Sequence, residues 1–316
     1  MSFAQISALV IFIVMFILIV ADKFPRQYIT LVCGLLTLIV TFGIGMQSFS
    51  NIMEALNFKV FAEPNFWYAA GAGEEASAGI NWATILFIGG MMVMVEGMAK
   101  AGFFQWLCMQ LAKTVHYKPL PLLVAFMVMS FVLAMFIDSI TVILFLAAVT
   151  IELGKLLKMN PIPMIISEIF CANLGGSATM SGDPPNIIIG TSLHYSFTDF
   201  LLNTGAIAFL QLILIVGYYI LVYRKTLKDV VVSEEAVAKM PSPASMITNK
   251  KDFIISTIIF LCAIVLLVTH NVTGVTVATI GLGVAVVTLL AAGKDIPVIL
   301  KKVDYATLLF FIGLFV

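Results

Sequence analysis

Charge is what this sequence has least of. Asp, Glu, Lys and Arg together make up 11% of its 316 residues, and histidine occurs three times. Ordinary soluble domains carry about a quarter charged residues, so a globular soluble protein is excluded. The 17 Lys and Arg balance the 17 Asp and Glu, and no basic block is present, which excludes a nucleic-acid-binding face. Cysteine is also rare. Cys33, Cys108, Cys171 and Cys262 lie in apolar segments without CxxC or Cys/His spacing, so they read as small core hydrophobes. No basic n-region and no small-x-small site precede Asp22, so residues 1–20 do not read as a signal peptide. Nucleophile–base pairs, HExxH, P-loops and Asp-rich catalytic patterns are all missing, so neither an enzyme nor a cofactor is expected.

What the chain does have is long apolar sequence: 61% of residues are hydrophobic and the mean hydropathy is +1.11. Crossing a bilayer takes roughly 20 such residues, and the expected fold class is an all-α polytopic membrane protein. The uncharged segments are Ile6–Val20, Tyr28–Gly45, Thr84–Ala99, Leu120–Ile151, Met164–Leu193, Gly205–Tyr223, Phe253–Thr269, Val275–Ala292 and Ala306 onward. Sixteen of the 17 basic residues fall in five connections, whereas the connection after Gly45 carries Lys59 beside Glu54, Glu63, Glu74 and Glu75. Basic connections stay cytoplasmic, which puts the N-terminus and the acidic connection outside. Lys118 and Lys155 then flank Leu120–Ile151 on one side. Its second uncharged arm, Thr141–Ile151, is too short to cross, so a re-entrant hairpin over 120–157 with Asp138-Ser139 at its tip is expected. A shallow pair of full spans is the alternative.

An internal repeat is visible. Ile80-Asn-Trp-Ala-Thr-Ile-Leu-Phe-Ile-Gly-Gly-Met-Met-Val93 aligns without gaps to Val303-Asp-Tyr-Ala-Thr-Leu-Leu-Phe-Phe-Ile-Gly-Leu-Phe-Val316, with six of 14 positions identical. Two spans precede each copy. By charge the first copy runs inward and the second outward, as in an inverted-topology repeat. The expected organisation is a first repeat over 1–223, containing five spans, the hairpin and a broken helix over 163–194. A cytoplasmic linker follows at 224–252, and the start of a second repeat at 253–316. Because a mirrored half would need another hairpin and broken helix, the sequence is expected to be part of a longer chain.

The stretch Asn173-Leu-Gly-Gly-Ser-Ala-Thr-Met-Ser-Gly-Asp-Pro-Pro-Asn186 is the most polar sequence in any span. Its glycines and prolines are expected to interrupt the helix, which in lipid is tolerated only against protein or a watery cavity. Such breaks build ion sites in many secondary transporters. Asp138 and Asp183 would supply negative charge. Ser139, Thr141, Asn173, Asn186 and freed carbonyls would supply neutral oxygens, a set suited to Na⁺ or to protons on the carboxylates. The exposed amides of the half-helix after Pro185 would suit an anion. Bland readings stand beside these: a structural kink for the break, a helix cap for Asp138, and an interfacial i,i+4 pair with Lys100 for Glu96. Glu168 faces either the site, as a proton relay, or a partner helix, and His194 reads as an external interface residue.

The run from Asp138 to Leu153, and above all Gly175-Gly176-x-Ala178-Thr179-x-x-Gly182-Asp183-Pro184-Pro185-Asn186, resembles the ion transporter superfamily. The likeness is to the branch of arsenical-pump permeases, the melanocyte P-protein type and citrate-transporter-like members, and it covers nearly the whole chain. It implies a secondary transporter whose hairpin tip meets a broken helix at mid-membrane, with Asp138, Ser139, Thr141, Asn173, Gly175, Gly176, Thr179, Gly182, Asp183 and Asn186 around the ion and substrate. No metal other than Na⁺ at these same residues is implied. The family commonly has Asp-Asn at the tip where this chain has Asp138-Ser139. The Asp-Pro-Pro-Asn form resembles the arsenical branch more than the dicarboxylate branch. The implied function is transport of a small anion or oxyanion, arsenite among the candidates, coupled to H⁺ or Na⁺. The alternatives are a Na⁺/H⁺ antiporter, a citrate or dicarboxylate symporter and, from other classes, an intramembrane enzyme or an inactive scaffold. Expected partners are a small inorganic or organic anion and the lipid bilayer of the cell membrane. A homodimer and, if the arsenical-pump likeness extends that far, a separate ATPase subunit complete the expectation.

Overall fold

The computed structural model describes residues 2–69, 79–193, 195–228, 237 and 240–316. These are helical, and the one β-bridge among them joins Tyr68 to Val275. Seven of the described helices are long and apolar enough to cross a membrane. The first, α1 (Phe3–Ala21), opens on a Ser2–Gln5 capping box and closes on Asp22 in the left-handed region, φ 49°. The next is α2 (Arg26–Gly45), which widens to π-helix from Thr37. Ser7 and Thr41 pair their hydroxyls at 3.0 Å between these two helices. Elsewhere α1 turns apolar side chains such as Phe12, Phe16 and Ile17 outward, as a helix facing lipid does. The short α3 (Phe49–Leu56) and α4 (Pro64–Trp67) follow.

Helix α5 (Trp82–Ala101) runs through the middle of the molecule and is the most buried of the long helices. Next come α6 (Phe103–Thr114), α7 (Pro119–Ala134), α8 (Ser139–Leu156), α9 (Ile162–Ala178) and α10 (Pro184–Leu193). The principal core is a contiguous set of apolar side chains from α5 to α9, including Phe104, Phe126, Phe131, Leu146 and Met164, with Phe104 stacked on Phe145 at 4.6 Å. A one-turn helix, α11 (Phe197–Phe200), leads into α12 (Ala206–Lys228). Beyond the linker stand α13 (Lys250–Thr273), α14 (Val277–Ala292), α15 (Ile296–Lys302) and α16 (Tyr305–Phe315). The Ser233-Glu-Glu part of the linker, and Glu74, Glu75 and His194, lie outside the described residues.

The two similar segments start alike. Asn81 caps α5 by accepting the Thr84 amide at 3.0 Å, and Asp304 caps α16 by accepting the Thr307 amide at 3.2 Å and its hydroxyl at 2.6 Å. Helix α5 then packs on α14, and α16 on α2, each through glycine. On α5, Gly90 lies against the backbone of Gly281 in α14; on α16, Gly313 lies against the backbone at Thr30 in α2, facing Gly34. A Cβ at Gly34 would sit 2.9 Å from the Gly313 carbonyl oxygen, so the helices touch backbone to backbone.

The chain is clasped to the helices that follow the linker both ahead of α5 and at its C-terminal end. Ahead of it, Thr276 donates to the Phe66 carbonyl and Thr279 to that of Trp67, each at 2.7 Å, and the Ala69 amide donates to Gly274 at 2.8 Å. At the C-terminal end, Lys100 pairs with Asp295, and Lys302 stands 4.0 Å from Glu96. The expected Glu96–Lys100 pair does not form, because a closer partner for each comes from the helices that follow α14. The hairpin's second arm is also longer than its uncharged run. Exposed Glu152 and Lys155 ride on its last turns, so α8 extends over 18 residues, roughly 27 Å. It is itself one of the seven described helices long and apolar enough to cross, so the shortness that underlies the expected re-entrant hairpin does not hold.

Candidate functional site

The turn joining α7 to α8, Met135–Asp138, is driven against the gap between α9 and α10, Thr179–Asp183. Thr179 and Ser181 both donate their hydroxyls to the Met135 carbonyl, Ser181 at 3.2 Å, which satisfies an acceptor freed at the end of α7. Asp183 Oδ1 accepts the Ser139 hydroxyl at 2.9 Å and stands 3.5 Å from the Ser139 amide. Asp138 caps its own arm: Oδ2 accepts the Thr141 amide and hydroxyl, each at 3.0 Å. The two carboxylates thus sit at the start of α8, where the helix dipole favours negative charge.

The glycines do not break the helix. α9 runs through Gly175 and Gly176 to Ala178, and the irregular backbone is confined to the residues after it. Their task is close approach. A Cβ on Gly175 would run into the Phe131 carbonyl, and one on Gly176 into the Asp183 carboxylate. Gly182 is held equally tightly between Gly176 and the Ala134 carbonyl. Asn186 serves as a splint: its amide nitrogen donates to the carbonyls of Gly176 and Thr179, each at 2.9 Å, across the break. Asn173, a turn earlier, donates back to Ile169 at 2.9 Å and is exposed. Both asparagines therefore spend their donors on backbone.

Two cavities meet here. A small one of about 30 Å³ lies between α5 and the tip, with Asp138, Thr141 and Ser181 as its polar lining and Phe87, Met91 and Ile187 among its apolar walls. It has room for one or two water-sized occupants. A large one of about 1170 Å³ is lined by Asp138, Ser139, Thr141, Asn173 and Asp183, and by Arg26, Glu96, Gln105, Lys302 and Asp304. Asp138 and Thr141 stand on the partition between them. Ser181, Gln105, Arg26 and Lys302 are additions to the residues read from sequence. Ser181 was within reach, as a hydroxyl inside the broken motif, whereas Gln105, Arg26 and Lys302 belong to distant helices. Glu168 lines neither cavity. It is fully buried between helices, with Thr150 donating to Oε1 at 2.7 Å.

The dual engagement of Asp138 separates capping from ion binding. Asp138→Asn keeps a carbonyl oxygen for both Thr141 donors, so the cap and the expression level are expected to survive while coupling to the cation weakens. Asp138→Ala is expected to lose the cap as well, about 1 kcal/mol. Flux against cation concentration, with thermal stability measured alongside, checks both; unchanged ion dependence in Asp138→Asn would remove the tip from the site.

Multiple helices long and apolar enough to cross a membrane, a hairpin seated on a broken helix and an oxygen-lined cavity at their junction define a polytopic membrane protein with a polar site between its helices. The chain belongs to the family described as "Citrate transporter", whose model matches residues 14–316. It is 30% identical over 243 residues to a 46 kDa membrane protein of Mycobacterium leprae, 75% of this chain and 55% of that one. It is 26% identical over 319 residues to an uncharacterized transporter of Mycobacterium tuberculosis, 99% of this chain and 67% of the relative. The human P protein is 32% identical over 110 residues, 35% of this chain and 13% of that protein. The chain thus spans between about half and two thirds of the length of the mycobacterial relatives.

Proposed function

We propose that the protein is a secondary active carrier of a small carboxylate or other oxyanion, driven by H⁺ or Na⁺. The observation that carries this is the junction itself: a hairpin tip and a helix break hold two carboxylates and two hydroxyls at the wall of a cavity, without a basic residue among those described bonded to either acid. The junction between the cavities offers the coupling cation the oxygens of Asp138, Thr141 and Ser181 from the small one and of Asp183 from the wall of the large one. The large one offers Arg26 and Lys302 as positive charge for the anion, in a volume ample for a tricarboxylate. The family's description favours citrate over arsenite as the first substrate to test. In this reading residues 1–223 and 253–316 belong to two inverted units, the mirrored glycine crossings are their shared seam, and the linker 224–252 is cytoplasmic. The carrier sits in the cell membrane with its N-terminus outside.

The test is flux into proteoliposomes holding the protein as its cell makes it. Saturable citrate accumulation that requires an imposed pH or Na⁺ gradient is the expected result. Arsenite accumulation without citrate would move the substrate class. Na⁺/H⁺ exchange with no anion requirement would favour an antiporter. Chemical conversion without net flux would favour an enzyme, and neither would leave a scaffold.

A further inference from the structure

Glu168 is a charged-type side chain buried among helices with only one of its two carboxyl oxygens hydrogen-bonded. It is 0% exposed, and while Thr150 donates to Oε1, Oε2 has no partner. The ion pairs among the described residues are Arg26–Asp22, Lys100–Asp295 and Lys302–Glu96, so none neutralises it. The titratable groups that face it are thiols: Cys108 from α6 and Cys171 one turn along α9. From α7 comes the Ser130 hydroxyl, from α8 Thr150, and on the α12 side Tyr219 packs on neighbouring Phe170 at 6.0 Å. An ionised carboxylate in such a place costs several kcal/mol, far more than a neutral acid with one unused O–H.

From this geometry we infer that Glu168 is a proton-binding site of the carrier, occupied while both hairpin arms are bonded to it as they are here. A metal cation is a poor fit, because Thr150 is the one hydroxyl within bonding distance of the carboxyl. The Ser130 hydroxyl is committed to the Glu168 main-chain carbonyl at 2.7 Å. Those two bonds also give the proton something to control. Ser130 ties the first hairpin arm to α9 and Thr150 ties the second, about 15 Å along the helix from the break at which the tip is seated. A neutral Glu168 lets both arms close on α9. Ionisation requires water or a cation to enter between α8 and α9, which unseats the hairpin, so proton release and hairpin movement are one event.

The inference deepens the carrier reading and rests on it for its consequence, but its chemistry can be read without transport. Dicyclohexylcarbodiimide, an apolar reagent that attacks protonated carboxyls, is applied to the protein in proteoliposomes over a range of pH. Adducts are located by peptide mass spectrometry. A Glu168 adduct that fades as pH rises is expected; no adduct, or a yield independent of pH, overturns the inference. In flux assays Glu168→Gln is expected to retain citrate counterflow at equal pH, while accumulation driven by a pH gradient falls to the level of protein-free liposomes. Glu168→Asp restores part of it. Wild-type gradient-driven accumulation in Glu168→Gln overturns the proton site and leaves the carrier standing. Absence of citrate counterflow in the wild type strikes the carrier reading instead, and the labelling result alone then decides for Glu168.

Discussion

Asp183→Asn is expected to abolish gradient-driven accumulation while the protein still inserts and folds. The substituted amide keeps an oxygen where Asp183 Oδ1 receives the Ser139 hydroxyl at 2.9 Å, so the bridge between break and tip survives in outline. What disappears is the charge. A charge-assisted contact contributes roughly 1.5–3 kcal/mol, so the coupling cation should bind about 10–100-fold more weakly, and substrate that depends on it should follow. Ser139→Ala is the complementary test. It retains the carboxylate but deletes the bridging hydroxyl, and its defect should be smaller and rescued by raising the cation concentration. Measured uptake in Asp183→Asn with unchanged pH and Na⁺ dependence would place Asp183 outside the coupling machinery.

The sequence made the junction legible because composition and chemistry coincide there. Asp138 and Asp183 are rare charges in apolar runs, and Thr179–Asp183 interrupts a helix flanked by prolines, as local backbone chemistry requires. Reading went astray where the cause lay on another helix. Gly175 and Gly176 look like breakers, yet they remain helical because neighbouring side chains and backbone press against them. The hairpin's second arm outruns its hydrophobic stretch because Glu152 and Lys155 are exposed rather than turned into the core, so charge does not end the helix. Glu96 has Lys100 at the right spacing and is nonetheless nearest Lys302. Ser130 and Thr150, ordinary hydroxyls in apolar helices, gain meaning only once both are found on Glu168. Hydropathy reports what each segment is made of; partnership between segments is a property of packing.

The glycine seam gives the largest expected effect on stability. Helices in lipid gain no hydrophobic drive from meeting each other, so close van der Waals contact and backbone approach carry the association. A Cβ at Gly281 would overlap the α5 backbone at Phe87 and Leu86, well inside van der Waals contact, where no rotamer change can relieve it. Gly281→Val must therefore push α14 off α5. Overpacking of this kind costs about 1–3 kcal/mol, which for a chain of this size lowers the melting temperature by roughly 1.5–5 °C. Gly283→Val is the internal control: it lies two residues along the same helix, with nothing within 4 Å of the added carbon, and carries the same change in intrinsic helix preference. Gly313→Val strikes the mirrored crossing, where α16 meets the α2 backbone at Thr30 and Leu31. Thermal unfolding in detergent should therefore rank Gly281→Val and Gly313→Val together, well below both wild type and Gly283→Val. If Gly283→Val proved as damaging as Gly281→Val, the loss would lie in helix preference or lipid contact, and the pairing of α5 with α14 and of α16 with α2 would not be what holds the molecule together.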